Sequence, residues 1–258
     1  MGLEWVEGFY SRTGSWWGPA EARVSERDRA RVRMLRAHAG DGPARVLELG
    51  SGYGMTAVAA VEDGFDVTAV ELSDRVRHTP AMPGLTVAGG SFYDVTLDGR
   101  FDVVCYWNGF GVGTDQDQRR LLRRIAAEWL RPGGVALIDV FNPLVWARLH
   151  GTKDHKFPDP SRGYAHELHQ EIHFDAATST AHDTWWDAAT PDEKITQVLR
   201  CYSPADLRLL LEGTGLRLDT VTSRAPGGLR LLTESYEYTA VLLPVDTGDP
   251  VQEGAAER

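Results

Sequence analysis

The sequence predicts an α/β fold in which a mostly parallel sheet is doubly wound, with helices on both faces. Between residues 45 and 141, near-continuous apolar runs alternate with helix-like segments, which is typical of strands buried on both faces. A glycine-rich turn joins the first run to an alanine-rich segment, in the order strand, turn, helix. After Asn142 the alternation stops. A sequence rich in turn residues with short strand-like segments then indicates an antiparallel β insertion.

The parallel part is predicted over residues 43–142. Its strands are expected at Arg45–Leu49, Val67–Val70, Leu85–Ala88, Phe101–Tyr106 and Val135–Phe141. Helices are expected at Met55–Asp63 and Asp115–Leu130, and the segment Arg131-Pro132-Gly133-Gly134 is expected to end the second helix.

The first 42 residues are expected to form a lid and a helix. Residues 1–20 are dense in aromatic side chains. A helix is predicted from about Pro19 to Ala39, because proline suits a first helical turn and Gly40 is a typical stop. Its six arginines alternate with acidic residues, which favours a solvated helix face over an anion-binding site.

Three further regions follow the parallel part. Residues 143–202 are predicted to be the β insertion, and residues 203–245 a capped helix followed by a closing β-hairpin. The strands in these two regions are expected at Ala165–Phe174, Ala181–Asp187, Ile195–Tyr202, Leu216–Ser223 and Tyr236–Leu243. Residues 246–258 are polar and rich in small side chains, and we expect them to be a disordered tail.

Composition narrows the classes of function. The 258 residues carry a formal net charge of −10, which argues against binding to nucleic acid or to an anionic membrane surface. The sequence has no signal-peptide core and no run of membrane-spanning length. Its two cysteines, Cys105 and Cys201, lie far apart in segments with strand-like sequence. A cytoplasmic protein that acts on a small molecule is therefore expected, with a homodimer as one expected form.

The stretch from Glu48 to Gly54, Glu-Leu-Gly-Ser-Gly-Tyr-Gly, is the most informative part of the chain. Its glycines allow the backbone to approach a ligand closely. Glu71 ends the next predicted strand, where a carboxylate can bind a ribose diol. A dinucleotide site would need its third glycine one position later, where Met55 stands, and a P-loop would need a lysine that is absent.

This motif resembles motif I of the class I methyltransferases that use S-adenosylmethionine (SAM). The resemblance covers roughly residues 44–243 and implies a seven-stranded sheet with SAM as the cofactor. It also implies methyl transfer to a nitrogen or oxygen atom, or alternatively a carbon atom, of a small molecule such as a specialised metabolite. The D/N-P-P-Y/F motif of some amino-methyltransferases is absent, since Asn108-Gly109-Phe110-Gly111 stands in its place.

The resemblance also implies which residues bind SAM. Motif I would contact the methionine and ribose parts, Glu71 the ribose hydroxyls, and Leu72 and Phe92 the adenine. Ser91 replaces the aspartate that many relatives place beside the adenine amino group. An N-terminal helix bearing Tyr10 and Trp16 would close the site. The expected cofactor residues are Glu48, Gly50, Ser51, Gly52, Gly54, Glu71, Leu72, Ser91, Phe92, Trp107, Asn108, Tyr10 and Trp16.

Three residues are candidate general bases: His169, His173 and Tyr10. His169, Glu171 and His173 share one face of a predicted strand. That face is expected to meet solvent or a second subunit, and no metal is expected there. Two rival functions stay open at this point: a nicotinamide-dependent oxidoreductase, and a SAM-binding enzyme with chemistry other than methylation.

Overall fold

The computed structural model of the protein describes residues 3–225, 228–229 and 232–245. The predicted disordered tail, residues 246–258, lies outside the described residues. The helices are α1 Val6–Glu21, α2 Glu26–Ala39, α3 Met55–Glu62, α4 Asp115–Arg124, α5 Pro143–Trp146 and α6 Pro204–Leu211. The strands are β1 Arg45–Leu49, β2 Asp66–Glu71, β3 Leu85–Gly89, β4 Phe101–Phe110, β5 Leu130–Phe141, β6 Lys153–Lys156, β7 Leu168–Asp175, β8 Thr180–Asp187, β9 Ile195–Arg200, β10 Leu216–Thr222, β11 Arg224–Ala225, β12 Gly228–Leu229 and β13 Glu237–Pro244.

The core is a seven-stranded sheet in the order β10-β13-β5-β4-β1-β2-β3. Strands β1 to β5 pair in parallel, and β13 runs antiparallel to both β5 and β10. The chain therefore changes direction across the sheet between β1 and β4, and this switch point opens a crevice at the carboxyl ends of the strands. The predicted seven-stranded, mostly parallel sheet is confirmed.

Alternate residues of each strand supply two apolar layers. Val46 and Val67 pack with α2 and α3 on one face of the sheet, whereas Leu47 and Val104 pack with α4 and α6 on the other. The sheet is therefore doubly wound, because a parallel strand must bury both of its faces. None of the helices in the described ranges is both long and apolar enough to cross a membrane.

The N-terminal region differs from the prediction. The segment predicted as one helix from about Pro19 to Ala39 is divided between the last turn of α1 and the whole of α2. The reason is local. Ser25 caps α2 through a capping box with Asp28, so a new helix begins there. Gly40, with φ of 76°, ends α2 as predicted.

The predicted helix Asp115–Leu130 is α4 followed by a π-helical turn, Ile125–Trp129. The segment Arg131-Pro132-Gly133-Gly134 follows the end of the helix as predicted, and it also lies within the bounds of β5. There the pairing with β4 shifts from Phe101–Leu130 to Val103–Val135. Residues 131–134 therefore form an irregular extension of the strand.

The insertion forms a separate four-stranded antiparallel sheet in the order β6-β7-β8-β9. Strand β6 was not predicted, because its four residues are all polar and exposed and so show no apolar alternation. The small hairpin of β11 and β12 was not predicted either. The insertion sheet joins the core directly, since the Arg200 amide donates to the Gly111 carbonyl at 2.8 Å.

Candidate active site

A cleft with a cavity volume of about 150 Å³ opens at the carboxyl ends of β1, β2 and β4. The core sheet forms its floor and helix α1 covers it. The lining residues are Leu3, Val6, Tyr10, Gly50, Gly52, Glu71, Leu72, Arg75, Ser91, Phe92, Tyr93, Tyr106, Trp107, Asn108, Gly109 and Val112.

The loop between β1 and α3 depends on glycine at three positions. Gly50, Gly52 and Gly54 all have left-handed backbone, with φ of 62°, 59° and 74°, a conformation that other residues adopt only with strain. A Cβ atom on Gly54 would also lie 2.5 Å from Cγ2 of Thr79. The loop therefore presents bare backbone to the cleft.

Glu71 ties the second strand to this loop. Its Oε2 atom accepts the Gly52 amide at 2.7 Å, and its Oε1 atom accepts the amide and hydroxyl of Ser73 at 2.7 and 2.6 Å. Since a carboxylate oxygen has two lone pairs, Oε2 retains one for a ligand. The side chain of Glu71 is thus both a support for the glycine loop and a possible acceptor for a hydroxyl in the cleft.

Glu48 lies beneath the loop at the end of β1. It is 3% exposed, and its Oε2 atom has no hydrogen-bond partner among the described residues. Burial raises the pKa of this carboxyl to about 8, against the opposing effect of the Arg31 guanidinium. A buried oxygen without a donor is costly, and a cationic or hydrogen-bonding ligand beside it would relieve that cost.

One wall of the cleft is aromatic and lies against the glycine loop, since a Cβ atom on Gly50 would be 3.0 Å from the Tyr106 ring. The rings of Phe92 and Tyr106 lie edge to face at 5.3 Å between centroids, and the Tyr106 hydroxyl donates to the Gly109 carbonyl at 2.8 Å. Asn108 has φ of 56°, left-handed backbone that is uncommon outside glycine. Strain of this kind often occurs at functional sites, and the Asn108 side chain is exposed at the cleft.

Helix α1 is held over the cleft by two side chains, Tyr53 after the end of β1 and Arg75 after the end of β2. Arg75 donates to the Tyr10 carbonyl at 3.1 Å and to Oγ1 of Thr13 at 2.9 Å. The Tyr53 hydroxyl donates to the Gly14 carbonyl at 2.7 Å. The close approach depends on glycine in the helix, since a Cβ on Gly18 would lie 2.7 Å from the Tyr53 hydroxyl.

Most of the predicted cofactor residues meet at this cleft. Those that line it are Tyr10, Gly50, Gly52, Glu71, Leu72, Ser91, Phe92, Trp107 and Asn108. Glu48, Ser51 and Gly54 are not among the lining residues and lie in or under the loop. Trp16 does not line the cleft as predicted. It is 2% exposed and packs with Phe9, Leu168 and Trp185 between α1 and the insertion sheet. Its place on the helix turns it away from the cleft.

The prediction that His169 and His173 are candidate general bases also needs correction. His169 and His173 lie on β7 and do not line the cleft. The ring of His169 stacks between His155 and Trp186, at 4.3 and 5.3 Å, on the outer face of the insertion sheet. The buried residues of β7, Leu168 and Ile172, occupy the opposite face. Strand alternation therefore directs both histidines away from the cleft.

Tyr10 does border the cleft, but it is poorly suited to accept a proton. Burial raises the pKa of its phenol, although Arg75 acts in the opposite direction. The phenol therefore stays protonated at neutral pH, which argues against the prediction of a general base. The ligand atoms of His155, Glu167 and His169 lie within 4.8 Å of one another and could hold a metal ion, but this group is on the outer face.

Several site residues were missed by the sequence analysis. Arg75, Tyr106 and Val112 line the cleft, and so do Leu3 and Val6 from the start of the chain. The only sequence signal for Arg75 was its position, four residues after Glu71. Nothing in the sequence connects Leu3 or Val6 to the glycine loop, because only the packing of α1 brings them there.

Comparisons with known proteins agree with this geometry. A family described as "Methyltransferase domain" matches residues 22–221. The cypemycin N-terminal methyltransferase of Streptomyces sp is 34% identical over 111 residues, covering 41% of this chain and 45% of its own. The glycine N-methyltransferase of Homo sapiens is 30% identical over 144 residues, covering 47% and 48%. The chain thus spans about half the length of these curated relatives.

Among solved structures, the CcbJ methyltransferase of Streptomyces caelestis superimposes with a TM-score of 0.67 at 22% identity. The match covers 84% of this chain and 89% of that one, and at this identity it supports the fold alone. The predicted resemblance to the class I SAM-dependent methyltransferases is confirmed, and the chain belongs to the methyltransferase domain family.

Proposed function

We propose that this protein uses SAM to methylate a nitrogen atom of a small molecule. The observation that carries the choice of nitrogen is the lack of a free base among the described residues that line the cleft. Glu71 already accepts three hydrogen bonds from protein groups. Burial raises the pKa of Tyr10, Tyr93 and Tyr106. A neutral amine needs only its lone pair, whereas a hydroxyl or an acidic carbon needs a base.

The residues of the cleft fit SAM as the cofactor. Gly50 and Gly52 offer bare backbone to it, and Glu71 would hold the ribose hydroxyls through its remaining acceptor capacity. The unpartnered oxygen of Glu48 suits the methionine ammonium, directly or through water. When bound, SAM supplies an electrophilic methyl group on a positively charged sulfur.

The chain's own residues would orient and shield this reaction. Helix α1 covers the cleft and excludes water, which favours an in-line approach of the acceptor and limits hydrolysis. The rings of Tyr10 and Trp107 line the cleft, and aromatic faces attract a cationic methylsulfonium. Asn108, exposed in left-handed backbone, is the polar side chain best placed to contact the acceptor.

The relatives support the same chemistry. Of the two curated relatives described above, one is named as an N-terminal methyltransferase and the other as a glycine N-methyltransferase. The net charge of −10 favours a small acceptor over nucleic acid, and a specialised metabolite remains our proposal for its class. A cytoplasmic location and a homodimer stay predictions.

Calorimetric titration with SAM and, separately, with NAD tests the cofactor. Binding of SAM alone is expected, whereas binding of NAD alone would favour the oxidoreductase alternative. Release of S-adenosylhomocysteine would then be measured with matched acceptors, glycine against glycolate and glucosamine against glucose. Turnover confined to the amines supports the proposal. Turnover of the hydroxyl compounds would contradict methylation at nitrogen, and SAM binding without methyl transfer to any acceptor would favour the non-methylating alternative.

A further inference from the structure

Three potential metal ligands meet on the outer face of the insertion sheet. His155, on β6, lies directly opposite His169, on β7, in the antiparallel register. Glu167 lies two positions before His169, so both side chains point to the same face. One ligand atom of each residue lies within 4.8 Å of those of the other two. The expectation of no metal on this face came from residues of β7 alone, and β6, which supplies His155, was not predicted.

The carboxylate of Glu167 already contacts one of the histidines. Its Oε1 atom lies 2.7 Å from Nε2 of His155. Two ligands of one tetrahedral zinc ion, each bonded at about 2.0–2.1 Å, lie roughly 3.3 Å apart. The two atoms are thus close to the separation at which one ion can bridge them. The two side chains are 35% and 43% exposed, so a hydrated ion can reach both from solvent.

The imidazole rings of His155 and His169 are stacked, with 4.3 Å between their centroids and 16° between their planes. Phe157 lies against His155 at 4.1 Å, and Trp186 stacks on His169 at 5.3 Å. These contacts use the ring faces, whereas a metal ion binds at the ring edge, along the nitrogen lone pair. One ring must turn about its Cβ–Cγ bond to share an ion with the other, and this torsion has broad minima.

The negative charge of this group is not cancelled by a lysine or an arginine. In the ranges that the structure describes, the ion pair of Glu167 is with His155 alone. Two lysines near this face have other partners: Lys153 pairs with Glu171 at 3.6 Å, and the Lys194 ammonium lies 4.1 Å from the centroid of the Trp186 ring. A metal ion would therefore meet a carboxylate whose charge is available to it.

The donor atoms indicate which metals fit. Imidazole nitrogen suits zinc and the neighbouring transition metals, whereas Mg²⁺ and Ca²⁺ prefer sites made of oxygen atoms. Two imidazoles and one carboxylate are three protein ligands, and water can complete a tetrahedral site as the fourth.

We propose that His155, Glu167 and His169 bind a divalent transition-metal ion such as Zn²⁺, and that this ion holds β6 in the insertion sheet. Strand β6 pairs with β7 alone, at the edge of the sheet, and its four residues are all exposed. Little apolar burial stabilises it, so an ion that joins it to β7 stabilises this edge. None of the three ligands lines the cleft, and the inference is independent of the proposed function.

Calorimetric titration of ZnCl₂ into the untagged full-length protein, first freed of metal with a chelator, tests the site. Wild-type protein is expected to bind one ion. Glu167→Gln and His155→Ala are expected to bind it at least about tenfold more weakly, because changes even to residues that only support metal ligands cost about 10- to 100-fold in affinity. Zinc should also raise the unfolding temperature of the wild type but not that of these variants.

His173→Ala is the matched control, since it removes a histidine from the same face of the same strand without touching the three ligands. It is expected to bind zinc like wild type. An equal loss of binding in His173→Ala would overturn the proposal, because zinc would then depend on a different group, in which the rings of His173 and His150 lie 4.7 Å apart.

Absence of zinc binding by the wild type would also overturn the proposal, as would equal binding by the wild type and the two ligand variants. Displacement of zinc by an equal concentration of Mg²⁺ would contradict a site with nitrogen ligands. If the variants do not fold, NMR of the wild type with Co²⁺ replaces them. The strongest paramagnetic effects are expected on the ring signals of His155 and His169, and stronger effects elsewhere would contradict the site.

Discussion

The Gly52 amide donates to Oε2 of Glu71 at 2.7 Å and so connects the glycine loop after β1 to the end of β2. One carboxylate thereby fixes the loop and faces the cleft. Because the bond joins the two strand ends at the switch point, the loop geometry depends on the side chain that we propose as a ligand of the cofactor ribose.

Glu71→Gln is expected to weaken SAM binding about 10- to 100-fold, since a hydrogen bond to a charged group is worth about 1.5–3 kcal/mol. A carboxamide has only one acceptor atom, its oxygen. It therefore cannot replace both carboxylate oxygens, which accept hydrogen bonds from Gly52 and Ser73. Calorimetry measures the affinity, and Glu62→Gln, an exposed change on α3, serves as the control. An unchanged affinity in Glu71→Gln would exclude Glu71 from the cofactor site.

Glu48 makes stability depend on pH. Its folded-state pKa of about 8 lies above the ordinary value of 4.5, so between these values the folded protein binds a proton that the unfolded chain releases. The free energy of unfolding of the SAM-free protein therefore falls as pH rises through this window, by at most about 1.4 kcal/mol per pH unit. Urea unfolding of wild type and Glu48→Gln at pH 6 and pH 8 measures it. The difference between the two proteins should grow with pH in favour of the variant, and a constant difference would contradict the raised pKa.

Gly54→Ala is expected to destabilise the protein more than Gly213→Ala. Both glycines have positive φ, 74° and 68°, which costs other residues about 1–2 kcal/mol in strain. Only at Gly54 would the new methyl group meet another residue, Thr79, at 2.5 Å, whereas nothing lies within 4 Å at Gly213. Thermal unfolding and SAM titration of the two variants compare them. Equal losses would mean that the loop tolerates a side chain.

Two glycines of α1 provide a test of how the helix is held over the cleft. Gly8→Ala places its methyl in open space and is expected to stabilise the helix by up to about 1 kcal/mol. Gly18→Ala would push against the Tyr53 hydroxyl at 2.7 Å and is expected to loosen α1. Amide hydrogen exchange along α1 gives the readout. Faster exchange in Gly8→Ala than in Gly18→Ala would contradict this contact.

Substitution of the outer-face histidines should not change catalysis. His169→Ala and His173→Ala are expected to retain kcat/KM within about twofold, because neither side chain lines the cleft. Release of S-adenosylhomocysteine with an amine acceptor that the matched-acceptor assay identifies measures the rates. A loss of tenfold or more in either variant, with unchanged unfolding temperature, would return that histidine to the list of candidate bases.

The sequence alone determined the parallel core and most of the cofactor loop. The segment from β1 to α3 is continuous in the chain, and its strand, turn and helix arise from local preferences for aliphatic residues, glycine and alanine. The acid at the end of β2 follows from the same βαβ unit, since the next parallel strand must end at the same edge. For these reasons the positions of Glu48, Gly52 and Glu71 at one edge of the sheet could be predicted without coordinates.

The tertiary structure decided which residues outside that unit reach the site. Arg75, Leu3 and Val112 meet at the cleft only because α1 packs across it and the insertion sheet hydrogen-bonds to the end of β4. Alternation along β7 predicted that His169 and Gln170 face opposite ways and that the histidine face meets solvent or a second subunit, but not what the other face packs against. That contact depends on burying the apolar face of the sheet against α1 and the core, a free energy summed over contacts distant in sequence.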